Sequence, residues 1–122
     1  MSVLDKPSKR KRCSVFDPKS TDKMRKSQAQ EARTAKAING QRTPGSGAFA
    51  GHKGDVISDD FLVECKMTVK KSISLKSAWL AKIYREAVEK GKYPALHITV
   101  EESGQDWIAV PLTVFESLLD KN

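Results

Sequence analysis

The chain has 122 residues, enough for one domain with a small hydrophobic core. Its 22 Lys and Arg outnumber its 15 Asp and Glu, and the resulting net charge of +7 favours a polyanionic partner. Two cysteines are too few for a disulfide scaffold and no apolar run reaches membrane length, so we expect a protein of the reducing cytoplasm with no membrane partner.

Residues 1–20 are predicted to be a flexible basic arm, because cations stand there among Ser, Pro and Asp with almost no apolar periodicity. Residues 1–54 hold 13 Lys or Arg against 4 Asp or Glu, whereas residues 55–122 hold 9 against 11. The N-terminal half is therefore expected to face nucleic acid. A run that also resembles a nuclear localisation signal is predicted to contact phosphates: Lys9, Arg10, Lys11 and Arg12.

A helix is predicted over residues 23–38. Its surface is mostly polar, so we expect it to lie along a partner subunit or DNA rather than fill the core. A loop rich in Gly, Pro and Ser follows at residues 40–53. Arg42 and Lys53 in this loop are candidate phosphate contacts, and the alternative for each is a solvated surface charge.

Two strands are predicted next, at residues 53–58 and 61–67, joined by an Asp-Asp turn. If the two aspartates are the whole turn, Asp55 lies directly opposite Glu64, with Cβ atoms about 4.5–5.5 Å apart. Because strand side chains alternate, Lys66 shares the face of Glu64. A bulge in the hairpin would change this pairing.

Two facing carboxylates repel unless a cation lies between them, and Mg²⁺ binds through one or two carboxylates while keeping waters or phosphate oxygens as its other ligands. Lys66 can then orient an attacking water and stabilise charge on a phosphate. The alternative is a solvated strand face, because Glu-x-Lys is common where 30% of residues are charged. The position of the triplet on an apolar strand favours a site.

The rest of the chain completes a predicted α/β fold, a single small domain with a mixed central sheet flanked by helices in the order α-β-β-α-β-β-α. The remaining elements are a helix at 75–90, strands at 94–100 and 106–110, and a helix at 111–119. The helix at 75–90 should join two parallel strands through a right-handed crossover. Its predicted core face comprises Leu75, Ala78, Trp79, Ile83 and Ala87.

Four segments carry a resemblance to a known superfamily: Gly45-Ser46-Gly47, Gly54-Asp55-Val56, Val63-Glu64-Cys65-Lys66 and, after a helix, Tyr93-Pro94-Ala95-Leu96-His97-Ile98. They resemble the PD-(D/E)xK nucleases, and among these the small archaeal-type and phage Holliday junction resolvases. The likeness spans about residues 28–110 and implies that residues 21–122 form a restriction-endonuclease-like nuclease domain. The proline of the motif is replaced by Gly54.

The resemblance implies an Mg²⁺-dependent endodeoxyribonuclease, with Mn²⁺ able to substitute, that resolves four-way DNA junctions as a homodimer in a prokaryotic or phage-infected cell. It implies that Asp55 and Glu64, with the Cys65 carbonyl and Glu31 of the first helix, hold the metal. The resemblance also implies that the catalytic residues are Asp55, Glu64, Lys66, Glu31 and Ser46. Further DNA contacts are expected at Arg33, Lys70 and Lys71.

Three alternatives stay open at this point. The first is that the chain is another endonuclease of the superfamily, of restriction or repair type. The second is that it is a basic DNA-binding module without catalytic activity. For Glu31 alone, the alternative is an exposed helical glutamate that pairs with a lysine.

Overall fold

A computed structural model describes residues 18–44 and 54–120 of the chain. In these ranges it has three helices and one mixed five-stranded sheet, in the strand order β1-β2-β3-β4-β5. The elements are α1 (Pro18–Ile38), β1 (Gln41–Arg42), β2 (Val56–Ile57), β3 (Phe61–Thr68), α2 (Ser77–Glu89), β4 (Tyr93–Val100), β5 (Gln105–Ala109) and α3 (Leu112–Asp120). The predicted α/β class with a mixed sheet is confirmed.

The strands pair as short connections require. β3 and β4 are parallel over their full length and are joined by α2, whereas the other neighbouring pairs are antiparallel. β1 is one strand more than predicted, because the segment after α1 pairs with the edge of β2 before the loop begins. Arg42 therefore lies in strand β1, opposite Val56, and not in the predicted loop.

The turn between β2 and β3 is the predicted one. Val56 pairs with Val63 and Ile57 with Leu62, which is the register that a two-residue turn at Asp59-Asp60 requires. The N–H of Ser58 donates to the Phe61 carbonyl at 2.9 Å and closes the turn. The predicted register is thus confirmed for the part of the hairpin nearest the turn.

β3 is covered by a helix on each face. Val63 belongs to a buried cluster against which Ala35 and Ile38 of α1 pack, whereas Leu62 packs with Ile83 and Ala87 of α2. Because side chains alternate along a strand, Cys65 follows Val63 toward α1 while Glu64 and Lys66 follow Leu62 toward α2. The alternation thus sends the charged side chains of β3 to the α2 face.

Helix α1 differs from its prediction in two respects. It begins at Pro18, five residues earlier than expected. It also packs on the sheet rather than lying off the core, and its buried residues are polar: Gln30, Glu31 and Thr34 are at most 5% exposed. The prediction that α1 lies off the core was wrong because its polar side chains form hydrogen bonds to the sheet. A hydrophobicity pattern assigns such side chains to solvent.

The core face of α2 is narrower than predicted. Ile83 and Ala87 are buried, but Leu75 precedes the helix and is 49% exposed, and Trp79 is half-buried. Cys65 is a free thiol, while Cys13 lies outside the described residues. Within the described ranges, no helix has the length and apolar character needed to cross a membrane.

Candidate active site

A tight turn carries the first acid of the site. Gly54 has φ +71°, and a Cβ built on it would lie 2.8 Å from the side chain of Leu62. A proline, whose ring holds φ near −65°, cannot take this conformation, so the backbone excludes it at position 54. The N–H of Asp55 donates to the Val63 carbonyl at 2.8 Å, one residue short of the predicted Glu64 partner. The turn therefore offsets the register at Asp55.

The offset places the Asp55 carboxylate against the backbone of β3. Asp55 is 8% exposed, and its Oδ2 accepts a hydrogen bond from the Cys65 N–H at 2.8 Å. In an extended strand the N–H and C=O of one residue point to the same side, so the Cys65 carbonyl is directed toward the same edge. Asp55 and this carbonyl are thus brought together, as the sequence analysis required of two metal ligands.

The surroundings of Asp55 oppose its ionisation. Burial raises the pKa of this carboxyl to about 6, and the charges of Glu64 and Glu31 add to the effect, whereas the Cys65 N–H and Lys66 act against it. Burial likewise raises the pKa of the Cys65 thiol to about 12, which makes the thiol a poor nucleophile or metal ligand. A bound cation would relieve the unfavourable charge on Asp55.

Glu64 and Lys66 lie together on the α2 face, as predicted from the alternation of β3. The Lys66 Nζ is 3.3 Å from Oε2 of Glu64 and 4.7 Å from the centroid of the Trp79 ring. The Trp79 ring is thus a platform for the ammonium group rather than only core packing. One acid and one lysine of the predicted motif are therefore in direct contact.

Two residues of α2 complete this cluster, and the sequence analysis did not place them in the site. The Lys82 Nζ lies 3.7 Å from Oε1 of Glu64 and 3.1 Å from Oε2 of Glu86. Glu86 is 7% exposed, and its Oε1 has no hydrogen-bond partner among the described residues. The available signal was the Lys-Glu pair four residues apart on the helix that covers β3.

Glu31 reaches the site from α1. It is 5% exposed, and its Oε1 is 3.1 Å from the Arg42 Nε of β1. The expected alternative, an exposed glutamate paired with a lysine, is wrong, because the residue is buried and pairs with an arginine. Arg42, one of the predicted DNA contacts, directs its guanidinium to Glu31, while 43% of its side chain remains exposed.

The other predicted DNA contacts fall into three groups. Arg33 forms a two-point ion pair with Asp106, at 2.9 and 3.0 Å, so its guanidinium joins α1 to β5. Lys70 and Lys71 are exposed in the segment after β3. The remaining predicted residues lie outside the described ranges: Ser46, Lys53, Lys9, Arg10, Lys11 and Arg12.

A buried polar network between α1 and the sheet supports the site from the other face. The amide nitrogen of Gln30 donates to the Lys66 carbonyl at 2.8 Å and to Thr99 Oγ1 at 3.0 Å. The Thr34 hydroxyl contacts Nδ1 of His97, whose Nε2 lies 3.1 Å from Asp106. Through Gln30, this network holds the backbone at Lys66 in place.

The donor set suits a hard cation held by few protein ligands. No group of three or more His, Cys, Asp or Glu side chains within the described ranges is assembled to hold a metal. Two carboxylates, Asp55 and Glu64, with the Cys65 carbonyl are a small oxygen set of the kind that Mg²⁺ accepts while it keeps waters and substrate oxygens. The raised pKa of Asp55 fits this use, because a bound cation would favour the charged form of this carboxylate.

Comparisons of this chain with family models, curated proteins and solved structures found no match. The fold defines the class of the protein as a small α/β domain with a mixed five-stranded sheet in its described residues. Any narrower assignment rests on Asp55 before β2, on Glu64 and Lys66 of β3, and on Lys82 and Glu86 of α2.

Proposed function

We propose that this protein is an Mg²⁺-dependent endodeoxyribonuclease of the PD-(D/E)xK type that resolves four-way DNA junctions as a homodimer. The observation that carries the proposal is the environment of the Asp55 carboxylate. This group is buried against β3, and the negative charges of Glu64 and Glu31 disfavour its ionised form. Glu64 and Lys66 stand on the adjoining strand in contact with each other. Crowding negative charge around a buried carboxylate lowers the stability of the fold, and proteins keep such destabilising arrangements at catalytic sites.

The proposed reaction is hydrolysis of a phosphodiester. Water forms a bond to phosphorus, a P–O bond to a sugar oxygen breaks, and a proton from the water reaches the leaving oxygen. Bound Mg²⁺ supplies Lewis acidity and lowers the pKa of the water, and Mn²⁺ substitutes for it. Asp55, Glu64 and the Cys65 carbonyl would hold the metal. Lys66 orients the water and stabilises negative charge on the phosphate.

Glu31 contributes from α1 in this proposal. It raises the pKa of Asp55 by its charge and is itself held by Arg42 at 3.1 Å. Arg42 therefore positions an acid as well as offering its exposed surface to DNA. Ser46 keeps its proposed catalytic role and Lys53 its proposed phosphate contact, and the basic arm with Lys70 and Lys71 supplies the general attraction to DNA.

The homodimer is supported by apolar surface outside the site. Ile108 of β5 and Phe115 of α3 line one apolar groove, and each is more than half exposed. Exposed apolar side chains grouped on neighbouring elements are typical of an interface. Two copies related by a two-fold axis present two equivalent sites, which suits the paired nicks that resolve a junction. Junction specificity and a restriction-endonuclease-like strand order rest on the sequence resemblance.

Cleavage of an end-labelled immobile four-way junction in Mg²⁺ tests the proposal. An EDTA sample, the Glu64→Gln variant and a linear duplex of equal length serve as controls. We expect paired nicks on opposing strands of the junction and no cutting in any control. Preferential cutting of the duplex would instead identify another endonuclease of the same type. Tight binding without cutting of either DNA would identify a non-catalytic binding module.

A further inference from the structure

Glu64 is flanked by two lysines that come from different elements. Lys66 of β3 lies 3.3 Å from one carboxylate oxygen, and Lys82 of α2 lies 3.7 Å from the other. Only the first belongs to the sequence motif. Both ammonium groups lie on the α2 face of the sheet, so two positive charges converge on the side chain proposed to hold the metal.

Lys82 forms an ion pair with Glu86, a buried acid one turn further along α2. Its own side chain is 51% exposed, whereas that of Glu86 is 9% exposed, and the two meet at 3.1 Å. An exposed Lys-Glu pair on a helix surface stabilises little, and burying the acid adds a desolvation cost. The pair is therefore better explained by what it holds in place.

The unpartnered oxygen of Glu86 supports this explanation. Its Oε1 is buried without a hydrogen-bond partner among the described residues, so the carboxylate is committed to Lys82 through Oε2 alone. A buried acid with one partner is retained where its charge has a use. Here the charge of Glu86 holds the ammonium group of Lys82 beside Glu64.

We infer that Lys82, held by Glu86, is a second lysine that contacts the scissile phosphate beside Lys66, an inference that rests on the proposed nuclease function. Each lysine has a second partner besides Glu64. Lys66 retains the Trp79 ring and Lys82 retains Glu86, so each is left fixed with its charge available. Phosphate oxygens that gain negative charge in the transition state can then take the place of the Glu64 oxygens. Lys82 is the catalytic residue of the pair and Glu86 is a positioning residue.

The test uses the full chain and a four-way junction, with Lys82→Gln, Lys82→Arg, Glu86→Gln and the Lys82→Gln/Glu86→Gln double variant. Arg85→Gln is the matched control, because it removes one positive charge from an exposed position of the same helix. Single-turnover cleavage is measured at saturating protein over a range of Mg²⁺ concentrations. Junction binding is measured separately in EDTA, and thermal unfolding verifies that each variant is folded.

We expect Lys82→Gln to lower the maximal cleavage rate about 10- to 100-fold, with binding in EDTA changed less than about twofold. Lys82→Arg should restore most of the rate, and Arg85→Gln should match the wild type. Glu86→Gln should lower the rate by a smaller factor. The double variant should cut no more slowly than Lys82→Gln alone, because Glu86 acts through Lys82. A purely structural role of Glu86 would add to the loss.

Three results would overturn the inference while the wild type still cuts. Lys82→Gln may cut at the wild-type rate throughout. It may reach the wild-type maximum at a lower Mg²⁺ concentration, which would make Lys82 only a competitor of the metal for Glu64. It may lose binding in EDTA by the same factor as it loses rate, which would make Lys82 an ordinary DNA contact. If the wild type cuts neither junction nor duplex, the proposed function fails and this inference fails with it.

Discussion

Asp55 and Asp106 are two aspartates that the same sheet treats in opposite ways. Asp106 accepts hydrogen bonds from Arg33 and Thr99 and lies near His97, and these partners, the arginine first, hold its pKa well below the usual range. Asp55 is more deeply buried, and its partner among the described residues is the Cys65 N–H. Its pKa is raised, because burial and two neighbouring acids oppose its charge.

The residues around Asp106 stabilise the fold, whereas the fold holds Asp55 in surroundings that disfavour its charge. Around Asp106, complementary charges join α1 to β5 and stabilise the packing of the polar helix. Around Asp55, electrostatic repulsion remains until a cation arrives. Such repulsion is typical of sites organised for binding or catalysis, because the favourable partner is the ligand.

The largest expected effect is on cleavage. Asp55→Asn should lower the rate of junction cleavage about 10³-fold, because it removes a charged ligand of the proposed metal site. Asp106→Asn, assayed well below its unfolding temperature, should keep the rate within about threefold. Gel-based cleavage assays in Mg²⁺ check both variants. Comparable losses from the two substitutions would contradict the division between a structural and a functional acid.

The second effect concerns the turn that positions Asp55. Gly54→Ala should destabilise the fold by about 2–4 kcal/mol, because an alanine is strained at positive φ and its Cβ would collide with Leu62. Gly91→Ala is the matched control, since Gly91 has φ +68° but nothing within 4 Å of a new Cβ. It should cost about 1 kcal/mol. Urea unfolding measures both, and equal losses would show that contact with Leu62 is unimportant.

The third effect is the stability that Asp106 contributes. Asp106→Asn should lower the free energy of unfolding at pH 7 by about 1–1.5 kcal/mol, because it weakens a half-exposed pair with Arg33 in which solvent screens the charges. Since the pKa of Asp106 is lowered by folding, this contribution is present above the unfolded pKa of about 3.8. It is lost progressively as the pH falls from that value through the lower folded pKa. Unfolding curves at pH 7 and pH 3 should therefore show a smaller difference between the variant and the wild type at the lower pH.

The smallest effect has the opposite sign. Asp55→Asn should raise the free energy of unfolding at pH 8 in EDTA by about 1 kcal/mol, because an uncharged amide avoids the repulsion of Glu64 and Glu31 and can still accept from the Cys65 N–H. The folded pKa of about 6 exceeds the unfolded value, so wild-type stability falls as the pH rises from about 4 to 6. The gain should vanish near pH 4.

Added Mg²⁺ sharpens the same measurement. It should stabilise the wild type at pH 8 and leave Asp55→Asn nearly unchanged, because a ligand that binds only the native state stabilises by mass action. The difference in unfolding temperature with and without EDTA measures this. A variant that is less stable than the wild type at pH 8 would contradict the electrostatic description of Asp55.

Much of the hairpin could be predicted from local pattern. The Asp59-Asp60 turn and the alternation of β3 sufficed to place Glu64 and Lys66 on one face, because period and turn length act over a few residues. The offset at Asp55 could not be predicted in the same way. It depends on the positive φ of Gly54 and on the packing of Leu62, which comes from the opposite strand.

The sequence by itself determined the α/β class, the β2–β3 register near the turn and the shared face of Glu64 and Lys66, because these follow from local periodicity and turn length. Only the tertiary structure decided that the polar α1 is buried, that Arg33 and Arg42 pair with acids, and that Lys82 and Glu86 join the site. The physical reason is that hydrogen bonds and ion pairs between distant elements can satisfy a buried polar side chain. No pattern within a single helix reveals the partner that will do so.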